Sequence, residues 1–173
     1  LFTRKKKGIF GKKPQEVKAV VVKEGSRDII NEAFRVLRTN LEFMADKDKT
    51  SNVIIVTSFN PGSGKSFLTM NIAVSFAIKG KKVLVIDGDL RHGSASSYID
   101  SPARGLSDYL GGRIDNLNEI IVSDPKQKSM DILPVGTIPP NPTELLFDER
   151  LKQVIDTVRG QYDYVLIDCP PVE

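Results

Sequence analysis

Apolar residues change their spacing along this chain, and the changes mark its elements. Ile29, Ile30, Ala33, Phe34, Leu37 and Leu41 recur at three- and four-residue steps, the period of one helix face. Ser26 and Asp28 precede them with side-chain oxygens able to cap a first turn. Residues 28–45 are therefore predicted as an amphipathic helix. From Asn52 the pattern becomes a near-continuous β-branched run to Thr57 and ends in a Pro/Gly loop, the signature of a strand buried on both faces. Similar runs predict strands at 82–87, 130–134 and 164–168. Helices are predicted over 64–79 and 148–159, with shorter pieces at 94–98, 106–110 and 143–146. Val20, Val21 and Val22 make 17–23 a short extended segment.

Strands alternating with helices imply an α/β fold: a doubly wound, mostly parallel sheet with right-handed crossovers. At 173 residues the chain suits one domain. It starts at Leu1 and stops five residues after a strand that should be central. The expectation is a domain over 17–173, C-terminally incomplete, preceded by a basic linker at 1–16.

Composition excludes several classes. An apolar fraction of 40% and a charged fraction of 27% are ordinary for a globular chain. No apolar run reaches the roughly 20 residues that span a bilayer, and no apolar core follows the basic N-terminus as a secretory signal requires. A single cysteine, Cys169, excludes an internal disulfide, and with a single histidine it leaves little for zinc. The net charge of +3 is unevenly placed. Arg4, Lys5, Lys6, Lys7, Lys12 and Lys13 carry six positive charges, and the remainder is −3. Such a tail lies against an anionic surface or stays a solvated linker.

Three stretches carry candidate chemistry, each at the end of a predicted strand. The first is Pro61-Gly62-Ser63-Gly64-Lys65-Ser66. Its glycines let successive backbone N–H groups point at a phosphate, and the following helix adds its positive end. Lys65 would reach the β- and γ-phosphates and the Ser66 hydroxyl would ligate Mg²⁺. Phe59 stands where the usual pattern has its first glycine. The second stretch is Asp87-Gly88-Asp89-Leu90-Arg91, whose alternate carboxylates suit an oxygen-seeking cation. The third is Val165-Leu166-Ile167-Asp168, an apolar strand closed by the acid that supports Mg²⁺ in P-loop enzymes. His92 reads as a loop surface residue, and Tyr162 and Tyr164, flanking a strand start, as structural.

Taken together, these stretches resemble the cytoplasmic kinase domain of bacterial tyrosine kinases, the P-loop type tied to capsule and exopolysaccharide export. The likeness runs from about Ser26 to the end. It includes Glu32, Arg35 and Arg38 on the first helix and Pro139-Pro140-Asn141-Pro142-Thr143-Glu144-Leu145-Leu146. The resemblance implies an ATP-dependent protein-tyrosine autokinase of P-loop NTPase type, using ATP/ADP and Mg²⁺. It implies nucleotide contacts from Asn60, Pro61, Gly62, Ser63, Gly64, Lys65, Ser66, Phe67, Arg91 and Asp168, and metal contacts from Ser66, Asp87 and Asp168. Lys65, Asp87 and Asp89 would be catalytic, with either aspartate taking the tyrosine proton. Glu32, Arg35 and Arg38 would face a neighbouring subunit in a ring-like homo-oligomer. The acceptor would be the neighbour's C-terminal tyrosine tail, since the chain's four tyrosines are scattered.

The same resemblance implies a transmembrane chain-length-determinant region, fused or separate, no nucleic acid, and a place at the cytoplasmic face of the bacterial plasma membrane. There the basic tail would meet anionic lipid. Two departures stand out. Asn60 and Pro61 occupy the region where the related partition and septum-placement ATPases carry an extra lysine, and Gly93 stands where the family often has proline. Two other functions fit a P-loop: a partition-type ATPase switch, or a non-catalytic nucleotide-sensing regulator of polysaccharide export.

Overall fold

A computed structural model of the chain describes residues 20–46 and 50–172. The predicted basic linker at 1–16, and residues 17–19 of the predicted extended segment, lie outside the described residues. Five strands form one sheet: β1 (Asn52–Val56), β2 (Val83–Asp87), β3 (Val122–Ser123), β4 (Met130–Leu133) and β5 (Tyr164–Asp168), in the order β1-β5-β2-β4-β3. The first four in that order are mutually parallel, and β3 joins β4 antiparallel. The expected doubly wound, mostly parallel sheet is present. The added antiparallel edge is a two-residue strand, too short to carry a period.

The helices are α1 (Ile29–Met44), α2 (Lys65–Ile78), α3 (Leu106–Leu110), α4 (Pro142–Leu146) and α5 (Glu149–Arg159). Asp28 caps α1 by accepting from the Asn31 N–H at 2.9 Å, and the Ser26 hydroxyl steadies that carboxylate at 2.5 Å. Asp148 caps α5 in the same way. The predicted piece at 94–98 is a 3-10 turn at Ser96–Ile99.

Side chains alternate across the sheet and build two cores. Val83, Val85, Ile132 and Leu166 meet α1 and α2 on one face. Leu84, Ile86, Leu133 and Val165 meet α3 and α5 on the other. Between α1 and the sheet, α2 is buried from Thr69 to Ala77, as a helix enclosed on most sides must be. Tyr164 stacks on Phe76 at 4.0 Å, and the Tyr162 hydroxyl donates to Asp131 at 2.8 Å. Both tyrosines are structural.

Residues 21–23 are clasped between helices. Asn71 on α2 accepts from the Val21 and Val22 N–H groups, and Asn31 on α1 accepts from the Lys23 N–H.

The topology explains where a site must form. β5 inserts between β1 and β2, and all three run parallel. Their C-terminal ends therefore share one edge, where ligands bind in open α/β sheets. In register, Val56 pairs with Asp168 and Asp168 with Asp87.

Candidate active site

The loop leaving β1 is shaped by glycine. Gly62 and Gly64 have φ of +70° and +87°, a region where a side chain is strained. The Gly64 carbonyl accepts the first α2 hydrogen bond, from Leu68 at 2.9 Å. No side chain caps α2 and its first turn holds no acid. Its leading N–H groups are thus available to an anion, with the helix dipole behind them. Lys65 and Ser66 occupy that first turn, half-buried.

Asp87 ends β2 and is fully buried. Its Oδ2 accepts from the Ser96 N–H and from the Ser96 hydroxyl, each at 2.6 Å. Its Oδ1 accepts only a longer contact, from the Asp89 N–H at 3.3 Å. Burial pushes its pKa up to about 7. The Ser96 hydrogen bonds oppose that rise and the neighbouring Asp168 charge adds to it.

Asp168, its neighbour in register, is equally buried. Among the described residues neither of its oxygens has a hydrogen-bond partner. Burial raises its pKa and Asp89 adds to the rise; the Ser66 hydroxyl and the Lys65 ammonium pull the other way. Ser66 thus lies near enough to lower the pKa of this carboxylate, though its hydroxyl stands outside hydrogen-bond geometry. Gly88 keeps the two aspartates close: its N–H donates to the Asp168 carbonyl at 2.8 Å, and a Cβ there would stand 3.1 Å from the same oxygen.

In front of these acids lies a cleft of about 800 Å³. Lys65, Ser66, Asp89, Arg91, Thr143 and Phe147 are among the residues lining it. Asp89 accepts from the His92 N–H at 3.3 Å, and the exposed His92 ring sits 3.2 Å from its carboxylate. Arg91 reaches Thr143 at the start of α4 at 3.4 Å.

A buried carboxylate without a partner is costly unless something polar completes it. Asp168, Asp87 and the Ser66 hydroxyl offer hard oxygen donors beside a phosphate-shaped loop, a set that fits Mg²⁺. Among the described residues no three His, Cys, Asp or Glu side chains form an all-protein metal group. Mg²⁺ does not require one, because it keeps waters and takes substrate phosphate oxygens as ligands.

Most of the predicted site converges. Pro61, Gly62, Gly64, Lys65, Ser66, Phe67, Asp89 and Arg91 line the cleft, with Asp87 and Asp168 behind it. Asn60 and Ser63 are exposed on the loop, off the cleft wall. The α1 residues divide. Glu32 and Arg35 pair on the surface at 2.7 Å, whereas Arg38 turns under the helix and donates to the Ser75 carbonyl of α2 at 2.9 Å. Sequence reasoning passed over Ser96, which carried no signal beyond being a serine in a short helical piece.

Cleft, loop and acids define a P-loop nucleotide-binding domain, and comparison with known proteins narrows the class. The model of the AAA domain matches residues 51–173. The putative tyrosine-protein kinase EpsB of Ralstonia nicotianae is 42% identical over 142 residues, which are 82% of this chain and 18% of that protein. The chimerical protein CapA2B2 superposes with a TM-score of 0.80 at 35% identity, over 89% of this chain and 67% of that one. The kinase domain of the Escherichia coli tyrosine kinase ETK gives 0.74 at 38% identity, over 81% and 54%. The septum site-determining protein MinD of Pyrococcus horikoshii, complexed with Mg-ADP, gives 0.61 at 31% identity, over 71% and 50%. The chain belongs to the bacterial tyrosine-kinase family whose catalytic domain is a P-loop AAA domain. It spans about a fifth of the length of curated relatives such as EpsB.

Proposed function

We propose that this domain binds Mg²⁺·ATP and transfers the γ-phosphoryl group to a protein tyrosine. The observation that carries the reading is the pair of buried aspartates behind the loop, one of them with both oxygens unpartnered. Phosphoryl transfer is mostly positioning and charge neutralisation. Lys65 and the N–H groups at the start of α2 hold the β- and γ-phosphates. The Ser66 hydroxyl and Asp87 hold the cation, and Asp168 orients its waters. Mg²⁺, when bound, supplies neutralisation of the charge that builds on the phosphate oxygens. Asp89 lines the cleft and is the better placed of the two aspartates to take the tyrosine proton, because Asp87 is enclosed.

The acceptor is the C-terminal tyrosine tail of a neighbouring subunit in a ring-like oligomer. The outer face of α1 supports the oligomer: Ile29, Val36, Phe43 and Met44 are exposed beside Glu32 and Arg35. Such a contiguous apolar surface is usual at protein interfaces. The protein works at the cytoplasmic face of the plasma membrane, with a transmembrane chain-length-determinant region and a basic tail on anionic lipid, in capsule or exopolysaccharide synthesis and export.

The test uses the full-length protein with ATP and Mg²⁺, probed for phosphotyrosine. Phosphotyrosine that disappears in Lys65→Ala supports the reading. Steady ATP hydrolysis without it would instead favour a partition-type switch, and nucleotide binding with neither reaction a sensing module.

A further inference from the structure

We propose that Ser96 is the positioning residue of the metal-site carboxylate: its hydroxyl and N–H together lock Asp87 Oδ2, so that Oδ1 is the oxygen presented for coordination. The inference rests on the reading of Asp87 as a cation ligand. Ser96 belongs to a 3-10 turn nine residues after Asp87 and is 3% exposed. Both of its donors converge on a single oxygen at 2.6 Å. Oδ1 keeps only the 3.3 Å contact with the Asp89 N–H, so one lobe of the carboxylate is saturated and the other is nearly free.

The hydroxyl is itself fixed. It accepts from the Val135 N–H at 2.8 Å, so its single proton is directed at Asp87. Val135 follows β4, and its carbonyl accepts from the Ser107 N–H at 2.9 Å, which ties it to α3. The chain of contacts runs α3, Val135, Ser96, Asp87. Each link is buried, and Gly105 lets the backbones meet: a Cβ there would stand 2.1 Å from the Pro134 carbonyl. A carboxylate at the end of a β-strand turns freely about its last torsion, and a cation that demands near-ideal octahedral geometry binds poorly to a turning ligand. Hydrogen bonds behind a ligating carboxylate remove that freedom.

The experiment measures Mn²⁺ binding, in the presence of ADP, to the full-length protein by electron paramagnetic resonance. Removal of such a contact lowers metal affinity by about 10–100-fold, so Ser96→Ala is expected to weaken Mn²⁺ within that range. ADP affinity without metal should be unchanged, because Lys65 and the loop are untouched. Ser96→Thr keeps the hydroxyl and should recover most of the Mn²⁺ affinity. In the Asp87→Asn background, Ser96→Ala should cost nothing further, the mark of a residue acting through Asp87. Unchanged Mn²⁺ affinity in a folded Ser96→Ala protein, or a full additional loss on top of Asp87→Asn, overturns the assignment. The metal readout needs no phosphotyrosine, so failure of the kinase reading and failure of this one are separate results.

Discussion

Asp87 and Asp168 close adjacent strands, pair in register and are equally hidden from solvent, yet their surroundings are opposite. Among the described residues Asp87 is held by three N–H or O–H donors, and Asp168 by none. A buried acid with one oxygen locked by two short hydrogen bonds is oriented by the protein before any ligand arrives. A buried acid with nothing to bond carries an uncompensated cost that only a ligand, its waters or a moving side chain relieves. Under the proposed function the difference divides the labour: Asp87 would be the preset ligand, while Asp168 would draw Ser66, Lys65 and a hydrated cation toward the sheet edge. Asp89, only 6% exposed, by contrast lines the cleft itself.

The largest expected effect tests that division directly. Asp87→Asn should lower phosphotyrosine formation by about 10²–10³-fold, the range for losing one group that stabilises charge at the reacting centre. Asp168→Asn should cost less, about 10–100-fold, as a change one step removed from the cation does. Both are read from rates of phosphotyrosine formation with full-length protein at saturating ATP. Equal losses would erase the distinction between the two carboxylates.

A second measurement asks what completes Asp168. ADP with Mg²⁺ should raise the melting temperature more than ADP with a chelator, because a ligand that binds only the folded state stabilises by about 2.7 kcal/mol at a hundred times its Kd. In Asp168→Asn the magnesium increment should shrink while the ADP increment stays. A full magnesium increment in that variant would mean that its unpartnered oxygens do not serve the cation.

Much of this site was legible before any fold was built, for a physical reason. Phosphate binding needs backbone N–H groups brought together by glycine, and a cation needs carboxylates at a strand's C-terminal end. Both demands restrict residue type at fixed spacing, so 61–66, Asp87 and Asp168 announce themselves. Contacts made across the fold do not. Ser96 meets Asp87 only because the turn after β2 folds back beneath Val135. Arg38 falls in the surface pattern of α1, but α2 packs there and offers the Ser75 carbonyl. Asn71 looks like an ordinary polar residue in an apolar helix, and its role in holding 21–22 depends on where that segment crosses. The boundaries of α2 and β4 each moved by a residue, as helix and strand ends commonly do.

Acidity offers a third test, in the protein without nucleotide. The pKa of Asp87 stands near 7 when folded, against 3.8 as its ordinary value. A group raised in this way stabilises the fold fully below its unfolded pKa, and the contribution is lost as pH rises through the folded one. Melting temperature should therefore decline from about pH 4 toward and past pH 7. Asp168 is shifted in the same direction and adds to the decline. Asp87→Asn keeps an oxygen for Ser96 and cannot ionise. It should flatten the slope and melt a few degrees higher than the parent at pH 8. A slope identical in both proteins would show that Asp87 ionises at no cost to the fold.

The smallest expected effect concerns the spacing between the two acids. Gly88 is buried directly after Asp87, and its φ is not in the left-handed region, so alanine there is not strained by backbone conformation. The obstacle is space. An added Cβ would stand 3.1 Å from the Asp168 carbonyl oxygen and 3.3 Å from Ile167 Cγ2, a few tenths inside ordinary contact. The strands β2 and β5 would have to part slightly, and the Gly88 N–H bond to Asp168 would lengthen with them. Overpacking of this kind costs about 1 kcal/mol at its mild end, visible as a small drop in denaturant midpoint. The same displacement moves Asp87 away from Asp168, and a cation held by one with its waters on the other would be sensitive to a few tenths of an ångström. Gly88→Ala should accordingly weaken Mn²⁺ more, in proportion, than it weakens the fold. If stability falls and Mn²⁺ affinity does not, the two aspartates do not serve one ion, and the contrast between them concerns folding alone.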